Sequence, residues 1–269
     1  MSSLWRMAAA ELRLQYYWLK NNKVMLAMSL VWPYLMVFIM LSFGTAFGSI
    51  EEFKEKMGIA SPILYLFAGS AVATASIGVI DNAAGVATWH RWLGTLPYVM
   101  LVPRRFTVYL STSSLVSSLV QVSFNLLSIA PAVVLLEGPG SALRLLLILA
   151  FMVLGTLPLI GIALLGGIAS LLAGEESDVI NFLSPLLLLL SGVFYPITML
   201  PKTLEALSSY IPTRYVVDAA KLAATYHTPP GALVFTIIYV LAALALAYNT
   251  LASLGALGVE GELRRRGVH

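Results

Sequence analysis

The apolar residues of this chain are gathered into six long stretches that are separated by shorter polar segments. A helix needs about twenty mainly apolar residues to cross the hydrocarbon core of a bilayer. The candidate spans are residues 24–47, 62–80, 108–136, 145–173, 179–195 and 232–258. The fifth is the shortest and runs directly into a segment rich in proline and glycine. The pattern predicts an all-α integral membrane protein with six transmembrane helices.

Composition points to the same class of protein. Of the 269 residues, 59% are hydrophobic and 11% are charged, and the mean hydropathy is +0.88. A soluble domain carries about 25% charged residues. The net charge of +3 is small, so a nucleic-acid partner is not indicated. Because the chain has no cysteine, disulfides, thiolate metal sites and cysteine catalysis are excluded.

Residues 1–23 do not have the pattern of a signal peptide, because charged residues recur throughout them. Read as a helix, the segment has an aromatic and apolar side and a cationic stripe, formed respectively by Trp5, Leu12, Tyr16 and Leu19 and by Arg6, Arg13 and Lys20. These two stripes predict an amphipathic helix lying in the membrane interface. A solvated helix packed on another subunit is the alternative.

The basic residues determine the expected orientation. Six spans place both termini on one side of the membrane. The ten basic residues on that side are Arg6, Arg13, Lys20, Lys23, Arg91, Arg104, Arg105, Arg264, Arg265 and Arg266. The six on the other side are Lys54, Lys56, Arg144, Lys202, Arg214 and Lys221. The positive-inside rule therefore predicts a multi-pass protein of the cell membrane with both termini in the cytoplasm.

Ionisable residues are absent from the six spans as drawn. Ion-coupled transporters usually hold such groups at membrane depth, so their absence argues against that class. The histidines His90, His227 and His269 lie in separate segments and cannot be assigned to one catalytic or metal-binding cluster. No GxxxxGK[ST] motif occurs, so the chain is not expected to bind a nucleotide by a P-loop.

The third span carries a stripe of polar residues. They recur at intervals of three and four residues and therefore share one helical face: Ser111, Ser114, Ser118, Gln121, Asn125 and Ser128. Such a face does not suit lipid tails. Hydrogen bonding between helices is the favoured interpretation, and a polar path is the alternative.

Two connecting segments stand out as landmarks. Residues 81–106, between the second and third spans, are predicted as a long cytoplasmic loop with a short amphipathic helix containing Trp89 and Trp92. That helix fits a membrane surface or the groove of a partner. The segment 190–218 breaks an apolar helix at Ser191 and Gly192 and then continues in short amphipathic pieces. It is predicted either as an ordinary outer loop or as a re-entrant region.

The first landmark resembles the coupling helix of the membrane-spanning subunit of ABC-2 type exporters. In that family an Arg is followed by Gly-Thr-Leu-Glu, with a Pro several residues on. This chain has Arg91, then Gly94, Thr95 and Leu96, and then Pro103. It departs from the family pattern at two positions, where Pro97 replaces the glutamate and His90 stands where an acid is common. The loop that would carry this helix is residues 86–103.

The second landmark resembles the family's outer signature. The matching positions are Ser191, Gly192, Pro196, Pro201, Pro212 and Tyr215, followed by Asp218. The resemblance covers nearly the whole chain. It implies that residues 196–230 form an extracellular region with re-entrant helices over 203–210 and 213–226. The implied gate residues are Ser191, Gly192, Phe194, Tyr195, Pro196, Pro201, Pro212 and Tyr215.

The resemblance also implies a mechanism. Two permease copies would pair within membrane lipids, enclose an export path and dock on separate P-loop ATPase subunits. Those subunits, and not this chain, would bind ATP and Mg²⁺ and hydrolyse the nucleotide. The implied contacts with the ATPase subunit are Trp89, His90, Arg91, Trp92, Leu93, Gly94, Thr95 and Leu96. An amphipathic or lipid-like molecule or a drug is the expected cargo. The alternatives are an ion-coupled secondary transporter or channel, and a membrane enzyme or scaffold.

Overall fold

The computed structural model describes residues 3–46, 52, 54–55, 58–95, 98, 106–173 and 179–266, and this part of the chain is helical without a β-strand. Its helices are α1 (Ser3–Asn21), α2 (Lys23–Ala46), α3 (Pro62–Trp92), α4 (Phe106–Glu137), α5 (Ser141–Ala173), α6 (Val179–Ser191), α7 (Lys202–Ser208), α8 (Pro212–Thr225) and α9 (Gly231–Arg266). A 3-10 turn covers Ile197–Met199. The predicted class, an all-α membrane protein, is confirmed.

Five of the described helices are long and apolar enough to cross a membrane, namely α2, α3, α4, α5 and α9. Helix α6 has 13 residues and contains a shorter apolar segment, Phe182–Ser191. At about 1.5 Å per residue it spans only ~20 Å, less than the ~30 Å hydrocarbon core. The fifth predicted span is therefore a helix that stops part-way through the bundle.

Helix α3 is longer than the span predicted for it. The expected loop began at Asp81, but the helix continues without a break through Trp92. The loop assignment of residues 81–92 is therefore wrong. Three alanines in this stretch favour helix, and proline is first met at Pro97. The apolar part of α3 is Pro62–Gly85, so Asp81, which the predicted span 62–80 leaves out, lies inside a candidate membrane-spanning segment.

Helices α1 and α2 are joined with little interruption. The Asn22 backbone amide donates to the Trp18 carbonyl oxygen at 2.9 Å, and the Leu26 amide donates to the Asn22 carbonyl oxygen at 3.0 Å. Helical hydrogen bonding thus continues across Asn22. Helix α1 packs against α4 and exposes Trp5 and Tyr16. The interface position of α1 stays a prediction.

Helix α3 lies at the centre of the bundle. It packs against α2, α4, α5, α6 and α8, and 78% of its apolar segment is buried. Helix α9 is peripheral, since only 11% of its apolar segment is buried. Its exposed side chains include Phe235, Tyr239 and Leu246. These large apolar side chains suit contact with lipid tails or with another apolar surface.

Small residues allow the helices to approach closely. A Cβ atom built on Gly161 of α5 would lie 2.8 Å from the backbone nitrogen of Asn249 in α9. One built on Gly167 would lie 3.1 Å from the carbonyl oxygen of Ala84 in α3. Because lipid tails are as apolar as the helix surfaces, van der Waals contacts of this kind are a main source of helix association in a membrane.

Candidate functional site

The regular helical backbone is interrupted where α6 ends at Ser191. The Ser191 hydroxyl donates to the Leu188 carbonyl oxygen at 2.7 Å and accepts from the Val193 backbone amide at 3.3 Å. A helix end leaves carbonyl and amide groups without partners in the helix, and a serine side chain satisfies some of them. Ser191 is fully buried, so this local capping takes place inside the protein.

Gly192 makes the turn after α6 possible. Its φ of +72° lies in the left-handed region, where a residue with a Cβ atom is strained. A Cβ atom there would also lie 2.4 Å from Cγ1 of Ile197, which belongs to the 3-10 turn that follows. Both the backbone conformation and the available space therefore require glycine at this position.

The central helix covers the backbone of this turn. The Tyr65 hydroxyl donates to the Val193 carbonyl oxygen at 3.1 Å and lies 3.4 Å from the Gly192 carbonyl oxygen. Tyr65 is completely buried. Irregular backbone at membrane depth is tolerated where protein covers it. Tyr65 provides that cover from α3.

Helix α8 lies deep within the bundle. At its first turn, the Thr213 hydroxyl lies 3.2 Å from the Ser76 hydroxyl of α3. At its other end, the Ala224 carbonyl oxygen accepts from the Ser61 backbone amide at 2.9 Å. Helix α8 therefore runs antiparallel to α3 from Ser76 to Ser61, a length of ~22 Å at about 1.5 Å per residue.

The residues at the start of α8 also contact two membrane-spanning helices, α5 and α9, near the middle of each helix. A Cβ atom on Gly155 of α5 would lie 2.4 Å from Cγ2 of Val216, so the first turn of α8 packs against the middle of α5. The Tyr248 hydroxyl of α9 donates to the Tyr210 carbonyl oxygen at 2.7 Å, just before α8 begins. Since Tyr248 is 17 residues into α9, this carbonyl lies ~25 Å along that helix.

Arg214 joins α7 to α8. Its Nη1 donates to the hydroxyls of Ser208 at 2.7 Å and Ser209 at 3.0 Å, and lies 3.4 Å from the Glu205 carbonyl oxygen. The Tyr215 hydroxyl donates to the Ser209 carbonyl oxygen at 2.8 Å. A guanidinium group at the carboxyl end of a helix is favourably placed for the carbonyl groups there. Arg214 thus fixes the turn between α7 and α8.

Helix α8 carries two further ionisable residues, Asp218 and Lys221. Asp218 Oδ2 lies 4.0 Å from Nε of Arg214. Burial raises the pKa of the Asp218 carboxyl, and the positive charges of Lys221 and Arg214 partly oppose that rise. Burial lowers the pKa of the Lys221 amine, and the charge of Asp218 opposes that fall. The two groups therefore each favour the charged form of the other.

The predicted gate residues lie along the segment that runs from the end of α6 to the first turn of α8. Pro196 precedes the 3-10 turn, Pro201 precedes α7 and Pro212 is the first residue of α8. The Tyr195 hydroxyl donates to the Leu189 carbonyl oxygen. Phe194 packs at the edge of the hydrophobic core. The predicted short helices 203–210 and 213–226 are observed as α7 and α8, with bounds that differ by one or two residues.

Helix α3 ends at its carboxyl terminus in a hydrogen-bonded turn. The Thr95 backbone amide donates to the His90 carbonyl oxygen at 2.9 Å, and Gly94 has a φ of +66°. Nδ1 of His90 lies 2.9 Å from the Thr95 hydroxyl, and Nε2 lies 2.8 Å from the Tyr109 hydroxyl of α4. Burial lowers the pKa of His90, and the Glu11 carboxylate of α1 opposes that change.

The structure describes most of the predicted coupling residues, but not all of them. Trp89, Arg91 and Trp92 are in the last turns of α3. Leu93 is exposed and lies in the turn that follows. Leu96 and Pro97 lie outside the described residues. The amphipathic segment is thus the end of the central helix rather than a separate helix.

The polar face of α4 makes hydrogen bonds to its neighbours at two points. Asn125 Oδ1 accepts from the Thr74 hydroxyl of α3 at 2.7 Å. The Ser128 hydroxyl donates to the Leu30 carbonyl oxygen of α2, and the Ser128 carbonyl oxygen accepts from the Tyr34 hydroxyl at 2.6 Å. Interhelical hydrogen bonding thus accounts for these two residues.

The other four residues of that face differ in exposure. The Ser114 and Ser118 hydroxyls are buried and have no hydrogen-bond partner among the described residues. Gln121 packs against Gly78 of α3, and Ser111 is exposed.

Asp81 is a polar contact that the sequence interpretation missed. Its Oδ1 accepts a hydrogen bond from the Ser184 hydroxyl of α6 at 2.9 Å. The predicted span 62–80 ends one residue before Asp81. The alanines that come after Asp81 were a signal that the helix continues.

Comparison with known protein families identifies the chain. A family model described as "ABC-2 type transporter" matches residues 14–225. The chain belongs to the ABC-2 type transporter family. The match includes the whole of α3, the break after α6 and helix α8. A search of curated proteins finds no match to this permease.

Polar side chains of the permease join separate elements of the fold: Tyr65 contacts Val193, Thr74 contacts Asn125, and Arg214 contacts the α7–α8 turn. Within the described residues, no group of three or more His, Cys, Asp or Glu side chains is placed to hold a metal ion.

Proposed function

We propose that this permease is the membrane-spanning subunit of an ATP-driven exporter. Two copies pair to enclose the export path, and each docks on a separate P-loop ATPase subunit. The ATPase subunits bind ATP and Mg²⁺ and perform the hydrolysis. The permease lies in the cell membrane with both termini in the cytoplasm, and it moves an amphipathic or lipid-like molecule or a drug.

The observation that carries this proposal is the continuity of α3. One helix holds the His90–Thr95 turn at its inner end and the contacts with Thr213 and Val193 in its outer half. A helix transmits displacement along its axis because its hydrogen bonds are all made within it. A displacement of the inner end of α3 is therefore transmitted to the region formed by α7 and α8.

The inner end supplies the docking surface in this proposal. Leu93 is exposed in the turn after α3, and Gly94 allows that turn with its positive φ. The resemblance to the family's coupling helix supports a contact with the ATPase subunit over Trp89–Leu96. A short helical end that presents apolar side chains suits the groove of a partner.

The outer region supplies the gate. Helices α7 and α8 are held by Arg214 and by the buried residues of α8 against α3 and α5. The break at Ser191 and Gly192 lets the chain turn before α6 has crossed the full bundle. We infer that α7 and α8 close the extracellular end of the path and move when α3 moves.

Substitution of Trp92 by Asp tests the coupling step. The charged side chain weakens an apolar contact with the ATPase subunit, so ATP-dependent export falls while ATP hydrolysis by the complex persists. The control is His227→Asp, which adds a carboxylate at an exposed position near the other end of the bundle. Both variants are first checked for insertion into the membrane. Normal export by the Trp92 variant contradicts the proposed contact.

An ion-coupled secondary transporter is the alternative, and Asp81 inside α3 is the observation that favours it. The two functions differ in their source of energy. Export that needs ATP and an ATPase subunit that co-purifies with the permease support the exporter. Export that continues without ATP and stops when the ion gradient is dissipated supports the alternative.

A further inference from the structure

Asp81 lies well inside the bundle along the helix axis. Eleven residues separate it from the end of α3 at Trp92, a distance of ~16 Å. Ser184, its partner, is five residues into α6, ~8 Å from the start of that helix. The carboxyl group is therefore at the depth of the membrane-spanning helices rather than in a loop.

The side chain of Asp81 is nonetheless exposed on the surface of a single chain. A carboxylate in contact with lipid tails is costly, and such groups usually face the interior of a bundle or a water-filled cavity. The described ion pairs are Arg144 with Glu137 and Arg214 with Asp218, and neither includes Asp81. Within the described residues, Asp81 therefore has no cationic partner.

Ser184 holds this carboxyl group in one position. It donates to Oδ1 at 2.9 Å, and the Ser184 side chain itself is buried between the helices. Among the described residues no donor is found for Oδ2. A carboxylate fixed at the depth of the membrane-spanning helices, with no donor to Oδ2 among the described residues, suits a ligand that has a positive charge and a body apolar enough to reach that depth.

We propose that Asp81, held by Ser184 where α3 meets α6, binds the cationic group of an amphipathic organic cation. Oδ2 supplies the charge, and the apolar body of the ligand lies among the lipid tails beside α3 and α6. In a medium of low dielectric constant, one such charge pair is several times stronger than it is in water. As the substrate class of the permease, this inference rests on the proposed export function. As a binding site, it does not.

Tetraphenylphosphonium and tetraphenylborate are suitable probes because they are similar in size and shape and opposite in charge. Binding is measured on the purified full-length permease in lipid nanodiscs, without ATP. The wild-type protein binds the cation more tightly than the anion, and Asp81→Asn weakens binding of the cation by about tenfold or more. Ser184→Ala causes a smaller loss, because the carboxylate remains but is no longer held. Equal binding of the two probes by the wild-type protein overturns the proposal.

Two further variants and a measurement of the melting temperature separate a binding role of Asp81 from a structural one. Asp81→Glu keeps the charge and retains the preference for the cation. Glu55→Gln removes an exposed carboxylate outside the spans and leaves cation binding unchanged. If Asp81→Asn weakens binding of both probes equally, or lowers the melting temperature without changing the preference for the cation, Asp81 is structural and the proposal is wrong. If a basic residue of a second copy pairs with Asp81, the wild-type protein shows no preference for the cation.

Transport is measured separately with the ATPase complex. Cation binding without ATP-dependent export contradicts the proposed function and leaves the site intact. ATP-dependent export that is insensitive to Asp81→Asn supports the proposed function and contradicts Asp81 as the substrate-binding site.

Discussion

The hydroxyl group of Tyr65 donates a hydrogen bond to the carbonyl oxygen of Val193 at 3.1 Å, 128 residues further along the chain. This contact joins the first turns of the central helix α3 to the break that follows α6. It explains how backbone without helical partners is accommodated among apolar helices, because a polar group of the protein reaches it. It also makes the break sensitive to the position of α3.

Replacement of Tyr65 by Phe tests that contact. The variant removes the hydroxyl and leaves a buried carbonyl oxygen without its donor, so we expect a loss of about 1–3 kcal/mol in the free energy of unfolding. The measurement is unfolding of the permease in mixed micelles. Tyr239→Phe is the matched control, because the Tyr239 side chain is 75% exposed and the loss of its hydroxyl should have little effect. Equal stability of the two variants contradicts the role of Tyr65.

Gly192→Ala tests the turn itself. The alanine has to adopt a φ near +72° and its Cβ atom meets Ile197 at 2.4 Å. Left-handed backbone costs about 1–2 kcal/mol and overpacking about 1–3 kcal/mol, so we expect a total loss of about 2–5 kcal/mol. Gly58→Ala is the control, because Gly58 has a φ of +66° and no atom within 4 Å of the added Cβ. That variant should lose only the backbone contribution.

A second substitution separates the two causes at Gly192. Ile197→Ala in the Gly192→Ala background removes the side chain that the new Cβ atom meets. The double variant should therefore recover part of the stability that Gly192→Ala loses, beyond the sum of the two single effects. Simple additivity of the two losses means that the contact with Ile197 does not contribute, and that the strain is confined to the backbone.

The periodicity of apolar residues was sufficient to predict most helices of this permease. Helices α7 and α8 were also predicted closely, because the family resemblance implies two short helices here; Pro201 precedes the first and Pro212 begins the second. The depth of α8 was not predictable in the same way. It depends on contacts such as Thr213 with Ser76, which join residues 137 positions apart.

The carboxyl-terminal end of α3 shows why a hydropathy boundary can differ from a helix boundary. The apolar segment ends near Gly85, but the helix continues to Trp92, since helix formation depends on backbone hydrogen bonds and residue propensity rather than on hydropathy. The predicted span 62–80 ends just before Asp81 and therefore leaves this residue out of the set at membrane depth. Its contact with Ser184 depends on the packing of α6, which the sequence pattern does not specify.

Arg214→Lys tests the connection between α7 and α8. A lysine keeps the positive charge but lacks the planar group that reaches Ser208 and Ser209 together. Hydrogen bonds to charged groups contribute about 1.5–3 kcal/mol, so α7 should open more often. Hydrogen exchange of the amides in Lys202–Ser208 measures this opening. The control is Lys202→Ala, which removes an exposed cation from α7 itself. Unchanged exchange in the Arg214 variant contradicts the proposed connection.

We expect His90 to make the carboxyl-terminal end of α3 sensitive to pH. Burial lowers the pKa of its imidazole from the ordinary 6.5, so the folded permease holds this proton less tightly than the unfolded chain does. The resulting stability is fully present above pH 6.5 and is lost as the pH falls toward the lowered pKa. The Glu11 carboxylate, which opposes the shift, limits the effect. The neighbouring Thr95 and Tyr109 hydroxyls bind the ring and carry no charge at these pH values.

Thermal unfolding at pH 7.5 and pH 5.5 should therefore show a larger loss of stability in the wild-type permease than in His90→Gln. The glutamine has no proton to gain in this range, so the contribution of position 90 to the pH dependence disappears. His227→Gln is the control, because the His227 side chain is exposed in the segment before α9 and the substitution leaves His90 in place. It should keep the pH dependence of the wild-type protein. A larger loss on acidification in His90→Gln than in the wild-type permease would mean that protonation of His90 stabilises the fold, which is the opposite of what its burial implies.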